Sequence, residues 1–396
     1  MAAASEEVPG LAEVLAPDGW PNASSASVGA GDPGRYNCLF GRDSLITALA
    51  VLPARPDVAA ATLRALARLQ GTREDVTWDE EPGKIVHEVR PGISVARQGY
   101  LGLEVPDGEL RYYGSADSTP LFLHVLATTR DAALADELEP AWRAAGDWLL
   151  GALERGGGLL RWHRRAPGGL VQQGWRDTVD PVGSPSQGSG ILHEDGTPPK
   201  PPVADADTQA AALVGLRGLA LLSGAAEHAA ATDALAARIG ERFDAETMAL
   251  AADDRRVRGA GSQLGWLLWA GAPVSGAAER LSEPDVLTGF GLRTLSDRHP
   301  QFDAFSYHRG SIWPFDSWLG WGGLRAAGRV DEAERVRAGV LAGVERIGRY
   351  PELYAVTKED PADPEPIAIS NFVQAWTVGA VWALRHEWDG GAHVVA

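Results

Sequence analysis

The sequence has little cysteine and no long apolar run. Cys38 is the one cysteine among 396 residues, so the chain cannot form an intrachain disulfide. No stretch of about 18 apolar residues occurs, which argues against an ordinary membrane-spanning helix. The first ten residues are acidic and lack the apolar centre of a signal peptide. We therefore expect a cytoplasmic protein without a membrane partner.

Basic residues are also in the minority. Lys and Arg number 36 against 53 Asp and Glu, which gives a formal net charge of −17. A field of that sign repels phosphate backbones, so we expect no nucleic-acid partner, whereas a neutral carbohydrate meets no such repulsion. His163, His193 and His308 lack the spacing of metal ligands, and no glycine-rich phosphate loop precedes a helix. The sequence thus predicts neither a metal site nor a cofactor, and it leaves the oligomeric state open.

Helix-periodic apolar residues account for most of the remaining chain. The stretches that fit this period are 43–53, 56–70, 118–129, 132–153, 205–223, 228–243, 331–348 and 371–386. Candidate N-caps are Asp43 or Ser44, Asp117 or Ser118, and Asp205. The best strand signal covers residues 158–175, where two short stretches flank an Ala-Pro-Gly-Gly turn and predict a β-hairpin.

Long Gly- and Pro-rich loops separate these helices, at 17–37, 71–116, 178–204, 282–306 and 349–370. Each holds aromatic residues, histidine or several carboxylates, and loops of this length in a compact domain tend to be functional. Helix pairs joined alternately by short and long loops indicate a closed ring of helices with one face built from loops. The competing interpretation is an irregular all-α domain.

Two carboxylates in aromatic surroundings indicate glycosidase chemistry. Asp177 ends the segment Gly-Trp-Arg-Asp at 174–177, and Glu352 lies between tyrosines in the segment at 350–354. Glycosidic hydrolysis needs one carboxyl group that protonates the leaving oxygen and a second that activates water or attacks the sugar. We expect Asp177 to be the general acid, with a pKa raised by burial or by a neighbour such as Asp180. Glu352 is the expected general base, and Asp316 and Glu88 are its rivals.

The segment YNCLFGRDS at 36–44 resembles the opening of the catalytic domain of bacterial amylo-α-1,6-glucosidase-like proteins, relatives of glycogen-debranching enzyme. Further segments resemble the same family in the same order: LQGTR at 69–73, EPGKIVHE at 81–88, YYGSADSTP at 112–120, GWRD at 174–177, GLRTLS at 291–296, SYHRGSIWP at 306–314 and QAW at 374–376. The resemblance implies an all-α (α/α)6 toroid and an inverting mechanism. It divides the chain into an N-terminal extension, 1–35, and a catalytic domain, 36–396.

With this resemblance, a set of polar and aromatic residues is expected to bind substrate: Arg42, Asp43, Glu88, Asp117, Trp175, His308, Trp313, Gln374 and Trp376. Asp43 would accept hydrogen bonds from sugar hydroxyls while Arg42 holds it in place. Trp175 would be a stacking platform beside the acid, since aromatic faces cover the apolar faces of sugars. Structural alternatives stay open: an N-cap for Asp43 or Asp117, a structural histidine, and ordinary core packing for the tryptophans.

The first functional prediction is an inverting hydrolase of an α-glucosidic bond, amylo-α-1,6-glucosidase-like or acting on a short α-glucoside. An alternative is a hydrolase of small glycosides such as glucosylglycerate, mannosylglycerate or trehalose-like sugars. Two alternatives of other classes use the same toroid. One is a sugar epimerase with histidines as acid and base, and the other is a carbohydrate-binding protein that has lost one catalytic carboxylate.

Overall fold

The structure is a computed structural model that describes residues 7–25, 36–91, 109–177 and 190–391. Twelve α-helices lie within these ranges: α1 Gly41–Val51, α2 Pro56–Arg68, α3 Ser118–Thr129, α4 Ala132–Glu137, α5 Glu139–Arg155, α6 Ala206–Ser223, α7 Ala226–Arg242, α8 Gln263–Trp269, α9 Ala277–Leu281, α10 Pro314–Ala326, α11 Val330–Ile347 and α12 Ala375–Arg385. A short 3-10 helix covers Leu11–Glu13.

Six of these helices, α1, α3, α6, α8, α10 and α12, form an inner ring. They are buried on nearly every side; in α1 all 11 residues are buried. A helix that lacks a polar face must be enclosed by other elements. Each inner helix packs against two others in the order α1, α3, α6, α8, α10, α12 and back to α1. The ring is therefore closed.

The helices α2, α5, α7, α9 and α11 lie outside this ring, and each packs against the inner helix that precedes it in its hairpin. They are amphipathic: in α11, Val336, Val340 and Val344 are buried while the charged residues face solvent. The inner helix α12 has no outer α-helix after it within the described residues. The 3-10 helix Leu11–Glu13 contacts α12 instead. This arrangement confirms the predicted (α/α)6 toroid.

Short antiparallel strands join the helices within the described ranges. They are β1 Leu39–Phe40, β2 Glu88–Pro91, β3 Glu109–Tyr112, β4 Ala204–Asp205, β5 Thr247–Leu250, β6 Arg256–Arg258, β7 Leu287–Thr288, β8 Gly291–Leu292, β9 Tyr354–Ala355 and β10 Glu365–Pro366. They form sheets in the orders β1-β2-β3, β4-β5-β6, β7-β8 and β10-β9. Strands β1 and β4 run directly into α1 and α6, so they fix where these inner helices begin.

The segment 7–25, assigned by sequence to the N-terminal extension, lies against the toroid. Ala375 N, at the start of α12, donates to Ala23 O at 2.9 Å. Ser44 Oγ, in α1, donates to Pro21 O at 2.9 Å. The segment therefore touches both helices at the closure of the ring. The division of the chain at residue 35 stays a prediction.

The hairpin predicted over 158–175 is wrong, because this segment contains no strand. Side chains satisfy its backbone instead: Gln209 Oε1 accepts from Leu160 N at 2.9 Å, and Gln209 Nε2 donates to Leu160 O at 2.8 Å. Trp162 forms only an isolated bridge to Val203. A glutamine of an inner helix thus takes the place of a partner strand.

Most predicted helices are present with boundaries shifted by up to four residues, and three larger differences have a physical reason. The stretch 132–153 is two helices that break at Leu138, because Pro140 has no N–H and favours a helix start. Helix α1 begins at Gly41, so Asp43 and Ser44 lie inside its first turn and neither is the N-cap. The sequence does not predict α8, α9 and α10. Helices α8 and α10 are rich in Gly and Trp and are buried on nearly every side, so they lack the polar face that reveals a helical period.

No helix in the described ranges is long and apolar enough to cross a membrane.

The predicted N-cap Asp205 is confirmed, since its side chain accepts a hydrogen bond from Thr208 N at the start of α6.

Glycine allows α8 and α10 to approach closely. A Cβ on Gly265 would lie 2.5 Å from the Cα of Gly320, so backbone would have to move. We expect Gly265→Ala to lower stability by about 1–3 kcal/mol through overpacking, measured by chemical denaturation. Gly151→Ala in outer helix α5 is the matched control, because its Cβ would meet only the flexible end of Arg155. That change should be neutral or stabilising by up to about 1 kcal/mol; equal destabilisation of both variants would contradict this account.

Candidate active site

The N-terminal ends of the six inner helices carry a concentrated set of buried polar side chains. These are Arg42 and Asp43 of α1, Asp117 before α3, Asp207 of α6, Ser262 before α8, Asp316 of α10 and Gln374 before α12. Several touch across neighbouring helices, so these ends lie on one side of the ring. The partial positive charge of a helix N-terminus favours carboxylates. This end of the ring can therefore bury several acidic groups.

Arg42 is at the centre of this set. Its Nε donates to Asp117 Oδ2 at 2.9 Å and its Nη1 donates to Asp177 Oδ2 at 2.8 Å. The other oxygen of Asp117 accepts from Ser115 Oγ at 2.7 Å. Only 3% of the Arg42 side chain and 2% of the Asp117 side chain are exposed, against 17% for Asp177. Asp177 is thus the member of this trio that a ligand can reach.

This arrangement corrects the expected role of Arg42, whose directed hydrogen bonds hold Asp177 and Asp117 rather than Asp43. Asp43 instead accepts from Gln374 Nε2 at 3.4 Å. Burial raises the pKa of Asp43 to about 8; Arg42 opposes the rise, and the charges of Glu352 and Asp177 add to it. Asp43 therefore lies within electrostatic reach of both predicted catalytic carboxylates.

Glu352 is held by three hydrogen-bond donors. Tyr307 OH donates to Oε1 at 2.6 Å, and Asn371 donates to Oε2 from its backbone N at 3.2 Å and from Nδ2 at 2.8 Å. Burial raises the pKa of Glu352 to about 7, although the donors from Tyr307 and Asn371 lower it. The charge of Asp177 raises it further. Three hydrogen-bond donors fix the orientation of this carboxylate and favour its ionised form.

Asp177 has different surroundings. Burial raises its pKa above the usual range of an aspartate, Arg42 opposes this rise, and Asp117 adds to it. Asp177 and Glu352 thus influence one another electrostatically but are held by different groups. One pairs with a single guanidinium and stays partly exposed, and the other is buried among neutral donors. Asp180, the expected neighbour of Asp177, lies outside the described residues.

An aromatic cluster underlies these carboxylates. Trp175 contacts His308, Trp313 and Phe315 edge-on, with ring centroids 5.1–5.4 Å apart. The Arg176 guanidinium carbon lies over the Trp175 ring, 4.6 Å from its centroid. The Trp266 ring is nearly parallel to the Trp175 ring, with the two centroids 6.5 Å apart. Trp175 is only 1% exposed. The expected stacking platform is therefore a core residue, since its faces are covered by protein.

The other predicted ligands belong to the same contact network. Trp313 packs on Trp376 at 5.6 Å and donates from Nε1 to Tyr307 O at 2.8 Å, which links it to Glu352. Burial lowers the pKa of His308 well below its usual range, so the ring stays neutral. Gln374 Oε1 and Trp376 Nε1 are buried and have no hydrogen-bond partner among the described residues. Both atoms suit a hydroxyl-rich ligand.

The two rival bases interact with other groups. Asp316 accepts from Trp266 Nε1 at 2.7 Å, and after burial the charges that act on its pKa are Arg176 and Asp207. It belongs to a separate group around Arg176. Glu88 pairs with Arg90 at 2.6 Å on strand β2. Glu352, in contrast, is subject to the charge of Asp177, which favours it as the partner of that residue.

Sequence reasoning missed four residues at this site. His87 Nε2 lies 4.0 Å from Asp177 Oδ2, and burial lowers its pKa well below the usual range. His87, Ser115 and Tyr307 lie inside segments that the sequence already singled out, and their polar side chains were the available signal. Asn371 gave no such signal in the sequence, because its role depends on a loop that brings it beside Glu352.

Within the described ranges, no group of three or more His, Cys, Asp or Glu could hold a metal ion.

A family model described as mannosylglycerate hydrolase MGH1-like glycoside hydrolase domain matches residues 36–354. The chain belongs to this family. It is accordingly an O-glycosyl hydrolase with a carbohydrate substrate. The predicted glycosidase relationship is confirmed at this level, and the family description names mannosylglycerate hydrolysis where the sequence resemblance named amylo-α-1,6-glucosidase. No sequence among the curated proteins matches the chain.

Solved structures of MGH1-like and related glycosidases share the fold. The family 63 mannosylglycerate hydrolase of Thermus thermophilus in complex with glucose is 17% identical, with a TM-score of 0.66 over 96% of this chain and 98% of that one. The same enzyme with Tris and D-glycerate is 15% identical, with a TM-score of 0.65 over 95% and 98%. A structure described as a wild-type glycosidase is 16% identical, with a TM-score of 0.53 over 96% and 94%. At these identities the likeness shows the toroidal fold.

Replacing Arg42 tests the charge balance of the site. Arg42→Met leaves Asp117 and Asp177 buried without their cation, which should cost about 3–5 kcal/mol at neutral pH. Without Arg42 the pKa of Asp177 rises further in the folded state, so the folded variant binds more protons than the unfolded chain. Its stability then falls as pH rises. The gap in Tm between wild type and variant should therefore widen from pH 5 to pH 8.

Arg64→Met is the control, because the Arg64–Glu137 pair is exposed, at 44% and 46%. Loss of an exposed pair should change stability by at most about 1 kcal/mol. A pH-independent gap for Arg42→Met would contradict the assignment of Arg42 as the counter-ion of buried carboxylates.

Proposed function

We propose that the protein is an inverting hydrolase of a short glycoside, with mannosylglycerate and glucosylglycerate as the first substrates to test. The observation that carries this proposal is the pairing of partly exposed Asp177 with buried Glu352, two carboxylates with raised pKa values in one electrostatic network. The family description and the glycerate complex of a structural relative support the choice of substrate.

Asp177 is the proposed general acid. Burial raises its pKa above the usual range of an aspartate, which is the direction that a general acid requires. Its side chain is the exposed member of the Arg42 group, so it can reach a glycosidic oxygen. Once the proton has left, Arg42 at 2.8 Å stabilises the resulting carboxylate. The same guanidinium thus assists departure of the aglycone.

Glu352 is the proposed general base. Its three donors stabilise the ionised form, which a base must hold before reaction. A water deprotonated by Glu352 attacks the anomeric carbon while Asp177 protonates the departing oxygen on the opposite face. The bond from the anomeric carbon to the aglycone oxygen breaks, and the products are a sugar of inverted configuration and a free alcohol. Inversion needs about 6.5–9.5 Å between the two carboxyl groups to accommodate the water.

The remaining polar groups are proposed to bind the sugar. Gln374 Oε1 and Trp376 Nε1 lack protein partners among the described residues, and Asp43 lies beside Gln374. Because the pKa of Asp43 is about 8, it holds a proton near neutral pH and can both donate and accept. A protonated carboxyl and an amide suit neighbouring sugar hydroxyls.

The substrate class is tested with a panel of purified glycosides. We expect the highest kcat/KM for mannosylglycerate or glucosylglycerate, with released sugar measured by a coupled assay. Trehalose and isomaltose are the comparison substrates. Isomaltose has an α-1,6 bond. A preference for isomaltose would therefore contradict the proposal that the substrate is a short glycerate glycoside and would favour the debranching-like interpretation.

The two carboxylates should differ in their dependence on the leaving group. Asp177→Asn removes the proton donor, so hydrolysis of the natural glycoside should fall by about 10²–10⁴-fold, while a glycosyl fluoride, which needs little protonation, is affected far less. Glu352→Gln should impair both substrates, because each requires an activated water. Glu88→Gln tests the rival base; a loss on both substrates equal to that of Glu352→Gln would reject the assignment.

The pH profile tests how Tyr307 acts on Glu352. Its hydroxyl stabilises the ionised carboxylate, so Tyr307→Phe should raise the pKa of Glu352 from about 7. A hydrogen bond to a charged group contributes about 1.5–3 kcal/mol, which corresponds to about one to two pH units. The acidic limb of kcat/KM should shift upward by that amount. Tyr354→Phe is the control, because its hydroxyl donates to Phe290 O and meets no carboxylate. An unmoved limb in Tyr307→Phe would exclude Glu352 as the group that titrates.

A further inference from the structure

Residues 174–177 lie at the N-terminal end of the ring, and their side chains contact opposite halves of the ring. Trp175 points into the aromatic core. Asp177 pairs with Arg42 of α1, which in turn pairs with Asp117 before α3. Arg176 turns to the other half, toward α6 and α8. The segment therefore links the two sides of the toroid through consecutive residues.

The Arg176 guanidinium donates hydrogen bonds to three acceptors. Its Nε donates to Asp207 Oδ2 at 3.0 Å, its Nη1 donates to Thr294 O at 2.8 Å, and its Nη2 donates to Ser262 Oγ at 3.0 Å. Only 1% of Arg176 is exposed. Because the guanidinium is planar and rigid, three acceptors from three different segments fix both its position and its orientation.

The segment that carries Arg176 also has little room to shift. A Cβ on Gly174 would lie 3.0 Å from Asp205 Oδ2 and 3.1 Å from Thr208 Oγ1, so Gly174 packs tightly on the start of α6. Gln173 O accepts from Ala116 N at 2.8 Å. The Arg176 guanidinium packs at 4.6 Å on the ring of its own neighbour, Trp175. Displacement of Arg176 would therefore be transmitted directly to the next residue, Asp177.

The charges around Arg176 balance locally. Asp207 forms an ion pair with it at 3.0 Å. Burial raises the pKa of nearby Asp316 to about 7, with Arg176 opposing the rise. The group thus contains a guanidinium paired with one carboxylate, and a second carboxyl whose pKa is raised. Arg176 is not required to neutralise Asp177, which has Arg42 for that purpose.

We propose that Arg176 is a positioning residue for the general acid, and that Asp207, Ser262 and the carbonyl of Thr294 fix it. The proposal rests on the assignment of Asp177 as the general acid. Arg42 sets the charge environment of Asp177, and Arg176 sets where its backbone lies. Proton transfer to the leaving oxygen demands close placement, and a misplacement of about 1 Å can cost about 10²-fold in rate.

The proposal predicts a loss that depends on the leaving group. Arg176→Lys retains the charge but cannot reproduce the three directed bonds. Its kcat should fall by about 10²-fold on the natural glycoside, with KM changed far less, and its rate on a glycosyl fluoride of the same sugar should change only a few-fold. A residue that supports the fold alone would reduce both rates equally.

Arg217→Lys is the matched control. Arg217 also connects α6 to α8, but from the far end, where its Nη1 bonds Ala270 O. This variant perturbs the same helix pair without touching residues 174–177, so it should not distinguish the two substrates. Ser262→Ala and Asp207→Asn each remove or weaken one bond to Arg176. If Arg176→Lys does not fold, these milder variants should still show a smaller loss on the glycoside than Asp177→Asn, with the fluoride rate preserved.

The Asp177→Asn variant, measured beside them, separates the positioning role from the general-acid role. If Asp177→Asn discriminates between the two substrates and the Arg176, Ser262 and Asp207 variants do not, the positioning role is overturned and the general acid stands. If Asp177→Asn itself fails to discriminate, the general-acid assignment is overturned. Discrimination by Asp177→Asn and the Arg176 group, but not by Arg217→Lys, supports the positioning role.

Discussion

The double ion pair of Arg42 with Asp117 and Asp177 is the interaction on which the site depends. It joins the starts of α1 and α3 to the segment that carries Asp177, the proposed general acid, at 2.9 and 2.8 Å. Removal of this guanidinium would leave two carboxylates in a buried environment without a counter-ion, which is among the costliest defects a protein interior can contain. The toroid makes the pair possible, because ring closure brings residues 42, 117 and 177 to one end of the inner helices.

Burial at this end of the ring raises the pKa of several acids. The pKa of Asp43 is raised to about 8, with Arg42 opposing the rise, and that of Glu352 to about 7, with Tyr307 and Asn371 opposing it. The proposed acid and the proposed base therefore differ in their neighbours as well as in burial. A guanidinium faces Asp177, and neutral donors from Tyr307 and Asn371 face Glu352. Such divergent surroundings are how one pocket supports two opposite proton transfers.

Much of this could be predicted from sequence. Amphipathic outer helices such as α11 follow the helical period, and the segments around Arg42, Asp177 and Glu352 stand out by composition. Inner helices α8 and α10 escape prediction because burial on all sides removes the polar face that marks a helix. The hairpin predicted at 158–175 is absent because groups distant in sequence, such as Gln209 at Leu160 and Asp79 at Ala166, bond its backbone. The prediction of Trp175 as a platform is wrong, since only the fold reveals that Arg176 and Trp266 cover its ring.

The central claim is that Asp177 and Glu352 flank the bond as the acid and base of an inverting hydrolase. The stereochemistry of the product tests it most directly, because inversion requires a water between base and sugar whereas retention requires a covalent intermediate. Hydrolysis of an α-linked glycerate glycoside, such as mannosylglycerate, should be followed by proton NMR from the first minutes. The account predicts that the β-anomer of the sugar appears first and that the α-anomer grows in later by mutarotation. Initial release of the α-anomer would contradict it.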